Sequence, residues 1–295
     1  MRVATHDGSF HADEVFALAA LTLLDEPIEI VRTRDREVMA GCDLRVDVGF
    51  DYDPAAGNFD HHQREFSETR ANGIGYASFG LIWREYGERV CGGDAELAAQ
   101  LDQSLVQGID ANDTGQQVFT TLIEGVRPLT VNGVVGGLNP RWDEDLTEDQ
   151  ERARFDQAVA LAGPIIEREV ASAASGLRAA RLVRQGIEAA EDPRLIELAD
   201  NVPWKSVVVP EAPEALYVIY PKRQGFGLET VPRELGSFAN RQDLPEPWAG
   251  LDGPDLAELT GVEDAVFCHA KRFLAVARSR EGVGELARQA LAQST

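Results

Sequence analysis

Short apolar segments with strand character alternate with a segment of helical spacing at the start of this sequence. Strands are predicted at Val3–Thr5, Ile28–Val31 and Leu44–Val48, and a helix is predicted over Ala12–Leu24. Alternation of this kind predicts an α/β fold, in which a parallel sheet is flanked by helices. Ligands of such sheets bind beside the carboxyl ends of the strands. Functional residues are therefore expected directly after the strands.

The middle of the sequence is dominated by helical spacing. Helices are predicted at Ile74–Tyr86 and Ala95–Gln107, and the charged, Ala-rich stretch Leu146–Glu188 is predicted as a long helical segment. Pro164 lies inside that stretch, and a proline removes a helical hydrogen bond. We therefore expect a kink or the start of a new helix at this residue.

The pattern changes again after residue 190. Glu191-Asp192-Pro193 ends the helical stretch, and apolar segments at 195–198, 206–209 and 216–220 predict strands. The sequence therefore predicts two domains. Residues 1–190 form a parallel-sheet α/β domain that ends in a long connecting helix, and residues 195–295 form a smaller α+β domain.

The composition and charge of the chain exclude several classes of protein. With 44% apolar residues among 295, the chain can build a packed core. The apolar runs are too short to span a membrane and the first residues lack a signal-peptide pattern, so a cytoplasmic protein is expected. Three widely spaced cysteines argue against a disulfide framework and against a thiolate zinc site. A formal net charge of -22 disfavours long duplex nucleic acid and anionic membranes as partners.

Histidine and aspartate are concentrated in four short clusters, which contain four of the five histidines. Taken alone, each cluster is compatible with turn or helix-cap residues. All four, however, lie near predicted strand or helix ends of one alternating domain, which predicts a shared site. The clusters are residues 6–13 (HDGSFHAD), Asp47-Val48-Gly49, Asp60-His61-His62-Gln63 and residues 108–115 (GIDANDTG).

The side chains of these clusters are those that divalent cations prefer. Hard cations bind carboxylate oxygens, and imidazole is a borderline ligand. A His/Asp set without Cys suits two Mn²⁺ ions, and it also accommodates Mg²⁺, Co²⁺ or Zn²⁺. Two ions roughly 3.5–4 Å apart can share a bridging aspartate and a bridging hydroxide that attacks phosphorus. The clusters therefore predict a binuclear phosphoesterase.

The same residues resemble the DHH phosphoesterase superfamily, and more closely its MYG branch of metal-dependent exonucleases. The resemblance covers nearly the whole chain and includes segments of the second half. The matching segments are residues 6–14, Tyr52-Asp53-Pro54, residues 59–63 (FDHHQ), Gly80-Leu81-Ile82-Trp83, residues 109–113 (IDAND), residues 138–142 (LNPRW), residues 202–205 (VPWK), residues 244–248 (LPEPW) and residues 279–282 (SREG).

The resemblance implies a role for each candidate residue. His6, His11 and Asp13 would be metal ligands from the first turn, Asp47 would bridge the two ions, and His61 would be a further ligand. Asp60 would orient His61 through a hydrogen bond. His62 would face the scissile phosphate.

The last ligand is either Asp110 or Asp113. The MYG pattern favours Asp110, whereas Asp113-Thr114-Gly115 matches the pattern of ordinary superfamily members. The sequence also departs from the superfamily at His11, where most members carry an aspartate. That difference should lower the negative charge of one metal site and change its metal preference.

Basic residues are concentrated near the end of the sequence. His269 follows the apolar run Ala265–Cys268, and Lys271, Arg272, Arg278 and Arg280 come close behind it. The bias predicts a phosphate-binding patch in which His269, Arg278 and Arg280 contact substrate. It is equally compatible with Lys271 and Arg272 being simply solvated surface residues.

Taken together, these features predict a metal-dependent 3′–5′ exonuclease or oligonucleotide phosphodiesterase acting through a metal-bound hydroxide. Its substrate would be short single-stranded nucleic acid, and the resemblance implies a homodimer. A small-molecule phosphoesterase acting on pyrophosphate or a cyclic dinucleotide would need the same site. A peptide hydrolase or a non-catalytic metal-binding interaction protein would also be compatible with these residues.

Overall fold

The structure, a computed structural model, describes residues 1–293 and divides into two compact units, Met1–Ala174 and Ser175–Thr295. Each unit contains its own five-stranded sheet flanked by helices. The predicted α/β fold class is confirmed. The division falls inside a long helix, whereas the boundary expected from composition lies after that helix.

The sheet of the first unit is built from the segments that alternate at the start of the sequence. Its strands are β1 (Arg2–Thr5), β2 (Glu29–Arg32), β3 (Leu44–Val46), β4 (Tyr52–Asp53) and β5 (Asn58–Phe59). They lie in the order β2-β1-β3-β5-β4; the β4–β5 pair is antiparallel and the other pairs are parallel. The parallel strands β1, β3 and β5 therefore end at one edge of the sheet, and residues 6, 47 and 60 directly follow those ends.

Helix α1 (Ala12–Thr22) is the central helix of this unit. Residues 12–21 are all buried, so the helix is covered on every side. A helix that is apolar all round belongs in a core. It packs against α3 (Ser78–Val90), α5 (Gln107–Asp113) and α6 (Val131–Gly136). The short helix α2 (Arg36–Ala40) lies between β2 and β3 in the chain.

The predicted helix over Ala95–Gln107 is present and extends further than predicted. It consists of α4 (Ala95–Leu101), a π-helical turn (Asp102–Val106) and α5. Single π turns within helices are frequent at functional sites. Here the turn precedes the segment that carries Asp110 and Asp113.

The long helix α7 (Glu148–Glu188) continues through Pro164. The sequence predicts a kink or the start of a new helix at that proline; no new helix starts there, because α7 is continuous across it. Phe155, Ala158, Ala162 and Ile166 are buried on one side of the helix. Their spacing of three or four residues keeps one apolar stripe against the first unit's core.

The second unit has a mixed sheet, β6 (Leu195–Glu197), β7 (Tyr217–Pro221), β8 (Phe226–Thr230), β9 (Ala265–Cys268) and β10 (Leu274–Ala277), in the order β6-β7-β8-β10-β9. The β6–β7 pair is parallel and the other pairs are antiparallel. Apolar clusters cover this sheet, one including residues of α10 (Arg280–Ala292) and α9 (Gly253–Thr260), the other including residues of α7 and α8 (Lys205–Glu211).

The strand predicted at residues 206–209 is wrong, because these residues form the middle of helix α8. A run of valines has high strand propensity, but tertiary packing commonly overrides such a preference. Val207 and Val208 are buried in the cluster that contains Val218 of the sheet, so this short helix covers part of the sheet.

Within residues 1–293, no helix combines the length and the apolar character that a transmembrane span requires.

Candidate metal centre

The turn between β1 and α1 places four acidic or imidazole side chains on one side of the sheet edge. Gly8 has a φ of +82°, a conformation that glycine adopts without strain. His11 is the residue directly before α1, and Asp13 and Glu14 follow in the first turn of that helix. His6, Asp13 and Glu14 are buried, whereas the His11 side chain is 60% exposed.

Two side chains from distant parts of the chain hold this turn. Asn139 accepts a hydrogen bond from the backbone N–H of Phe10 at 2.8 Å and donates one to the Phe10 carbonyl at 2.7 Å. Arg32 donates to the Gly8 carbonyl at 2.6 Å. The sequence pattern assigns no role to either residue. The only signal is that Asn139 lies within a segment matching the MYG pattern.

Asp47 follows β3 in a strained turn. Its φ is +56°, and those of Gly49 and Phe50 are +111° and +59°. Left-handed conformations are uncommon for residues other than glycine, and they cluster at functional sites. The backbone N–H of Phe50 donates to Asp60 Oδ2 at 2.7 Å, which ties this turn to the residues after β5.

The carboxylate of Asp47 is the centre of the cluster. Its Oδ2 lies 3.3 Å from His6 Nε2, and its Oδ1 lies 3.3 Å from His62 Nδ1 and 3.6 Å from His61 Nδ1. Burial disfavours the charged form of Asp47, but hydrogen bonds with His6 and His62 hold its pKa well below the usual range. Asp47 is therefore an anion, and the imidazoles of His6, His61 and His62 all lie close to its carboxylate.

His61 and His62 are held by different partners. His61 Nδ1 lies 3.2 Å from Ser78 Oγ, and its Nε2 lies 3.0 Å from Asp113 Oδ2. Asp60 Oδ1 accepts from His62 Nδ1 at 2.8 Å and from the His62 backbone N–H at 3.0 Å. Asp60 therefore orients His62, whereas the resemblance implies that it orients His61. Ser78 contacts His61 instead, and no sequence pattern points to that serine.

The imidazoles of His6 and His62 have strongly raised pKa values. Burial lowers the pKa of His6, but hydrogen bonds with Asp47 and Glu14 outweigh it and raise the pKa to about 10. Hydrogen bonds with Asp47 and Asp60 raise the pKa of His62 to about 10. Without metal, both imidazoles are cations at neutral pH and occupy the positive role that a metal ion would take.

The N-terminus of α3 binds two buried carboxylates through its backbone. Asp13 accepts hydrogen bonds from the N–H groups of Ser78 at 2.9 Å and Phe79 at 2.7 Å. Asp110 accepts from the N–H of Gly80 at 3.0 Å. The first N–H groups of a helix have no helical partner and carry partial positive charge, so carboxylates are stabilised there.

Asp110 and Asp113 have different surroundings although both belong to α5. Asp110 is fully buried and lies 2.8 Å from Arg70 Nη1, and Arg70 also binds Asp102 at 2.6 Å. Burial raises the pKa of Asp110 to about 7 against the opposing effect of Arg70. Asp113 instead faces His61, and it shares a group of potential ligand atoms with His61 and Asp13.

Three overlapping groups of side chains bring potential ligand atoms within 4.8 Å of one another. Asp47 belongs to two of them and His61 to two, so the groups form one connected cluster. Burial and the carboxylates of Asp47, Asp113 and Asp110 raise the pKa of Asp13 well above its usual value, a repulsion that a bound cation would relieve. The groups are His6, His11, Glu14 and Asp47; Asp47, Asp60, His61 and His62; and Asp13, His61 and Asp113.

A cavity of about 480 Å³ opens onto one side of this cluster. His6, His11, Asp47 and His62 contribute to its wall, and Arg34 and the exposed ring of Phe50 line it as well.

Glu14 is a further site residue that the sequence pattern does not reveal. Its position beside Asp13 in the first turn of α1 is explained equally well by the helix dipole. Its burial and its contact with His6 become apparent only in the folded chain.

The predicted substrate residues lie in the second unit. His269 is in the turn between β9 and β10, and its Nδ1 accepts from the Lys271 N–H at 3.1 Å. Arg280 begins α10, and its guanidinium binds the carboxylate of Glu197, with Nη2 to Oε2 at 3.0 Å. Arg278 is exposed. A phosphate would have to compete with Glu197 for Arg280, and the role of all three residues stays a prediction.

Comparison with known proteins gives one family. Residues 2–291 match the model of the MYG1 exonuclease family, described as an uncharacterised protein family, UPF0160. The match extends over both units of the structure.

Similar proteins are found across eukaryotes. The chain is 34% identical to the MYG1 protein C694.04c of Schizosaccharomyces pombe, with 99% of this chain and 97% of that protein aligned. It is 34% identical to the human MYG1 exonuclease, with 99% and 86% aligned. It is 33% identical to the MYG1 protein YER156C of Saccharomyces cerevisiae, with 99% and 96% aligned.

Proposed function

Since the chain belongs to the MYG1 exonuclease family, we propose that it is a metal-dependent phosphoesterase, and specifically a 3′–5′ exonuclease or oligonucleotide phosphodiesterase. The observation that carries this proposal is the connected cluster of His and carboxylate groups at the carboxyl ends of β1, β3 and β5. Asp47 and His61 each belong to two of the three ligand groups. Two adjacent metal ions are commonly held by ligands that they share in this way.

The donor chemistry of the cluster fits two divalent cations. We assign His6, His11 and Asp47 to one ion, and Asp47, Asp13 and His61 to the other. Imidazole nitrogen and carboxylate oxygen together suit Mn²⁺, and also Co²⁺, Zn²⁺ or Mg²⁺. When bound, such ions supply Lewis acidity and an activated water for attack on phosphorus.

Asp113 is our choice for the remaining ligand. Asp110 is engaged by Arg70 and by the N–H of Gly80, so its carboxylate is committed to the support of helix α3. Asp113 Oδ2 lies 3.0 Å from His61 Nε2, in a group with Asp13. This assignment follows the pattern of ordinary superfamily members at Asp113-Thr114-Gly115.

His62 is the chain's own group for holding the reacting phosphate. Asp60 fixes its ring through Nδ1, and its side chain is 49% exposed at the cavity. Hydrogen bonds with Asp47 and Asp60 raise the pKa of His62, and a protonated His62 would donate a hydrogen bond to a phosphate oxygen. Asp60 acts as a positioning residue that also secures the turn at Phe50.

Phe50 favours a nucleotide over pyrophosphate as the substrate. Its side chain is 67% exposed on a strained turn, beside the His62 ring at a centroid distance of 6.3 Å. The ring also lines the cavity beside the cluster, where it can meet a bound ligand. Bases stack on such rings, and each stacked base contributes about 1–3 kcal/mol.

Replacement of Phe50 by Ala should weaken cleavage of oligonucleotides by about tenfold or more in kcat/KM, which is the loss expected for one stacked base. Hydrolysis of a phosphodiester with a small non-nucleoside leaving group should change little. Steady-state kinetics on both substrates with Mn²⁺ test this. Phe119→Ala, another exposed aromatic in the same unit, is the control. Equal losses of kcat/KM on both substrates would show that Phe50 does not take part in base recognition.

The test of the proposed function is cleavage by metal-stripped protein of 5′-labelled single-stranded RNA and DNA, with and without Mn²⁺. A ladder that requires Mn²⁺ and is lost in Asp60→Ala and in His61→Ala supports it and shows the polarity. Bound metal without cleavage of any oligonucleotide would direct the search to pyrophosphate, cyclic dinucleotides and then peptides. The substrate roles of His269, Arg278 and Arg280, and a homodimer, are part of the proposal.

A further inference from the structure

We propose that Glu14 is a ligand of the metal ion at His6, His11 and Asp47, and that it supplies the second negative charge of that site. This inference rests on the proposed function, because it presumes a divalent cation in the cluster. It adds a residue that neither the clusters of the sequence nor the resemblance assigns to the metal centre.

The burial of Glu14 is the first observation. Its side chain is fully buried, with no exposed area. Oε1 lies 3.0 Å from His6 Nε2 and accepts from the His11 N–H at 2.9 Å. Oε2 is buried too, and nothing within residues 1–293 forms a hydrogen bond with it. A buried acceptor left without a partner costs about 1–3 kcal/mol, so an unpaired carboxylate oxygen calls for a partner not made of protein.

The position of that oxygen is the second observation. Glu14 Oε2 lies 3.9 Å from His11 Nδ1, and one atom each from His6, His11, Glu14 and Asp47 lies within 4.8 Å of the other three. Ligand atoms bound to one ion at about 2.1 Å lie roughly 3–4 Å apart. The four residues therefore surround a space of the size that a single divalent cation fills.

The balance of charge is the third observation. Without Glu14, this group offers one carboxylate, Asp47, which is shared with its neighbour. The other ion would have Asp13 and Asp113 besides Asp47. A dication beside two neutral imidazoles and half of a shared carboxylate would be poorly neutralised in a buried site. Glu14 makes the two sites more nearly equal in charge.

A purely structural role for Glu14 makes a different prediction. Glu14 is the third residue of α1, and its bond from the His11 N–H is one half of a capping box. That bond uses only Oε1, and the amide oxygen of glutamine accepts it equally well. Glu14→Gln therefore keeps the volume and the cap acceptor, and removes the charge and the second oxygen ligand.

The experiment is calorimetric titration of the metal-stripped full chain with Mn²⁺. The wild type should bind two ions, and Glu14→Gln should lose affinity for one of them by on the order of 100-fold or more while the other is kept. The control is Glu26→Gln, which removes the same charge from a side chain that is 43% exposed, and it should bind like the wild type. Two ions bound at wild-type affinity by Glu14→Gln would overturn the role of Glu14 alone. A wild type that binds no divalent cation would overturn the proposed function as well.

A second measurement does not depend on the variant's folding. Crystals of the wild type soaked in Mn²⁺ should show an anomalous peak at bonding distance, about 2.0–2.6 Å, from Glu14 Oε2. A peak bound by His6, His11 and Asp47 but remote from Glu14 would refute the inference.

Discussion

Asp47→Asn should reduce metal-dependent cleavage by more than about 100-fold, the upper end of the effect of losing a residue that merely supports a ligand. Asp47 is central because His6, His61 and His62 all face its carboxylate, and because it belongs to two of the three ligand groups. Asparagine keeps the shape but cannot bridge two cations with charge. Calorimetry with Mn²⁺ should show weakened binding of both ions, whereas loss of one ion only would contradict a bridging role.

The metal-free variant should also respond differently to pH. The pKa values of His6 and His62 are raised to about 10 in the folded protein, above their usual 6.5. The two protonated imidazoles therefore stabilise the folded protein fully below pH 6.5, and this contribution to stability is lost as the pH rises towards 10. Asp47→Asn removes a partner of both imidazoles. The chelator-treated variant should therefore lose less stability than the wild type as the pH rises from 6.5 towards 10. Asp156→Asn, an exposed helix position, is the control in urea unfolding.

Gly80→Ala should destabilise the fold by about 3 kcal/mol or more, through overpacking and the disturbance of a buried ion pair. A Cβ at residue 80 would overlap Asp110 Oδ2 and lie 2.7 Å from Arg70 Nη2. Both atoms belong to a buried network that cannot retreat into solvent. Either the carboxylate leaves the N–H of Gly80, or the N-terminus of α3 moves and takes the contacts to Asp13 with it.

Urea or thermal unfolding of the metal-free protein measures this effect. Gly108→Ala is the matched control, because Gly108 is also helical and a Cβ there would meet nothing within 4 Å. Alanine at that position should be neutral or stabilising by up to about 1 kcal/mol. Equal stability of Gly80→Ala and Gly108→Ala would mean that the Arg70–Asp110 network does not pack against α3 as described.

The order of elements in the first unit is predictable from sequence because each apolar run there is short and bounded by polar turns. Val3–Thr5 and Ala12–Leu24 fall on β1 and α1 with small differences in their ends. The same alternation places His6 and Asp47 at the ends of β1 and β3, whereas β5, the strand before Asp60, is not among the predicted strands. The convergence of these residues follows from parallel pairing alone, since the carboxyl ends of adjacent parallel strands meet at one edge.

The remaining parts of the site depend on contacts between distant segments. Asp110 and Asp113 are three residues apart on one helix, and only the partner of each distinguishes them. Arg70, far away in sequence, engages Asp110 and leaves Asp113 for His61. The helix dipole suffices to explain Glu14 in the sequence, because its burial is not visible there. The valines at 206–209 have the pattern of a strand, and their packing on the second sheet is likewise non-local.

The backbone of helix α3 supports the metal centre through amide groups that side-chain substitutions do not remove. Three successive amides, at residues 78, 79 and 80, hold the carboxylates of Asp13 and Asp110. Every amino acid except proline carries the same N–H, so a side-chain scan of Ser78 and Phe79 leaves these bonds intact. A sequence change at those two positions therefore leaves the backbone support of Asp13 in place, whereas the Ser78 hydroxyl contributes separately through its contacts with His61 and Asp47.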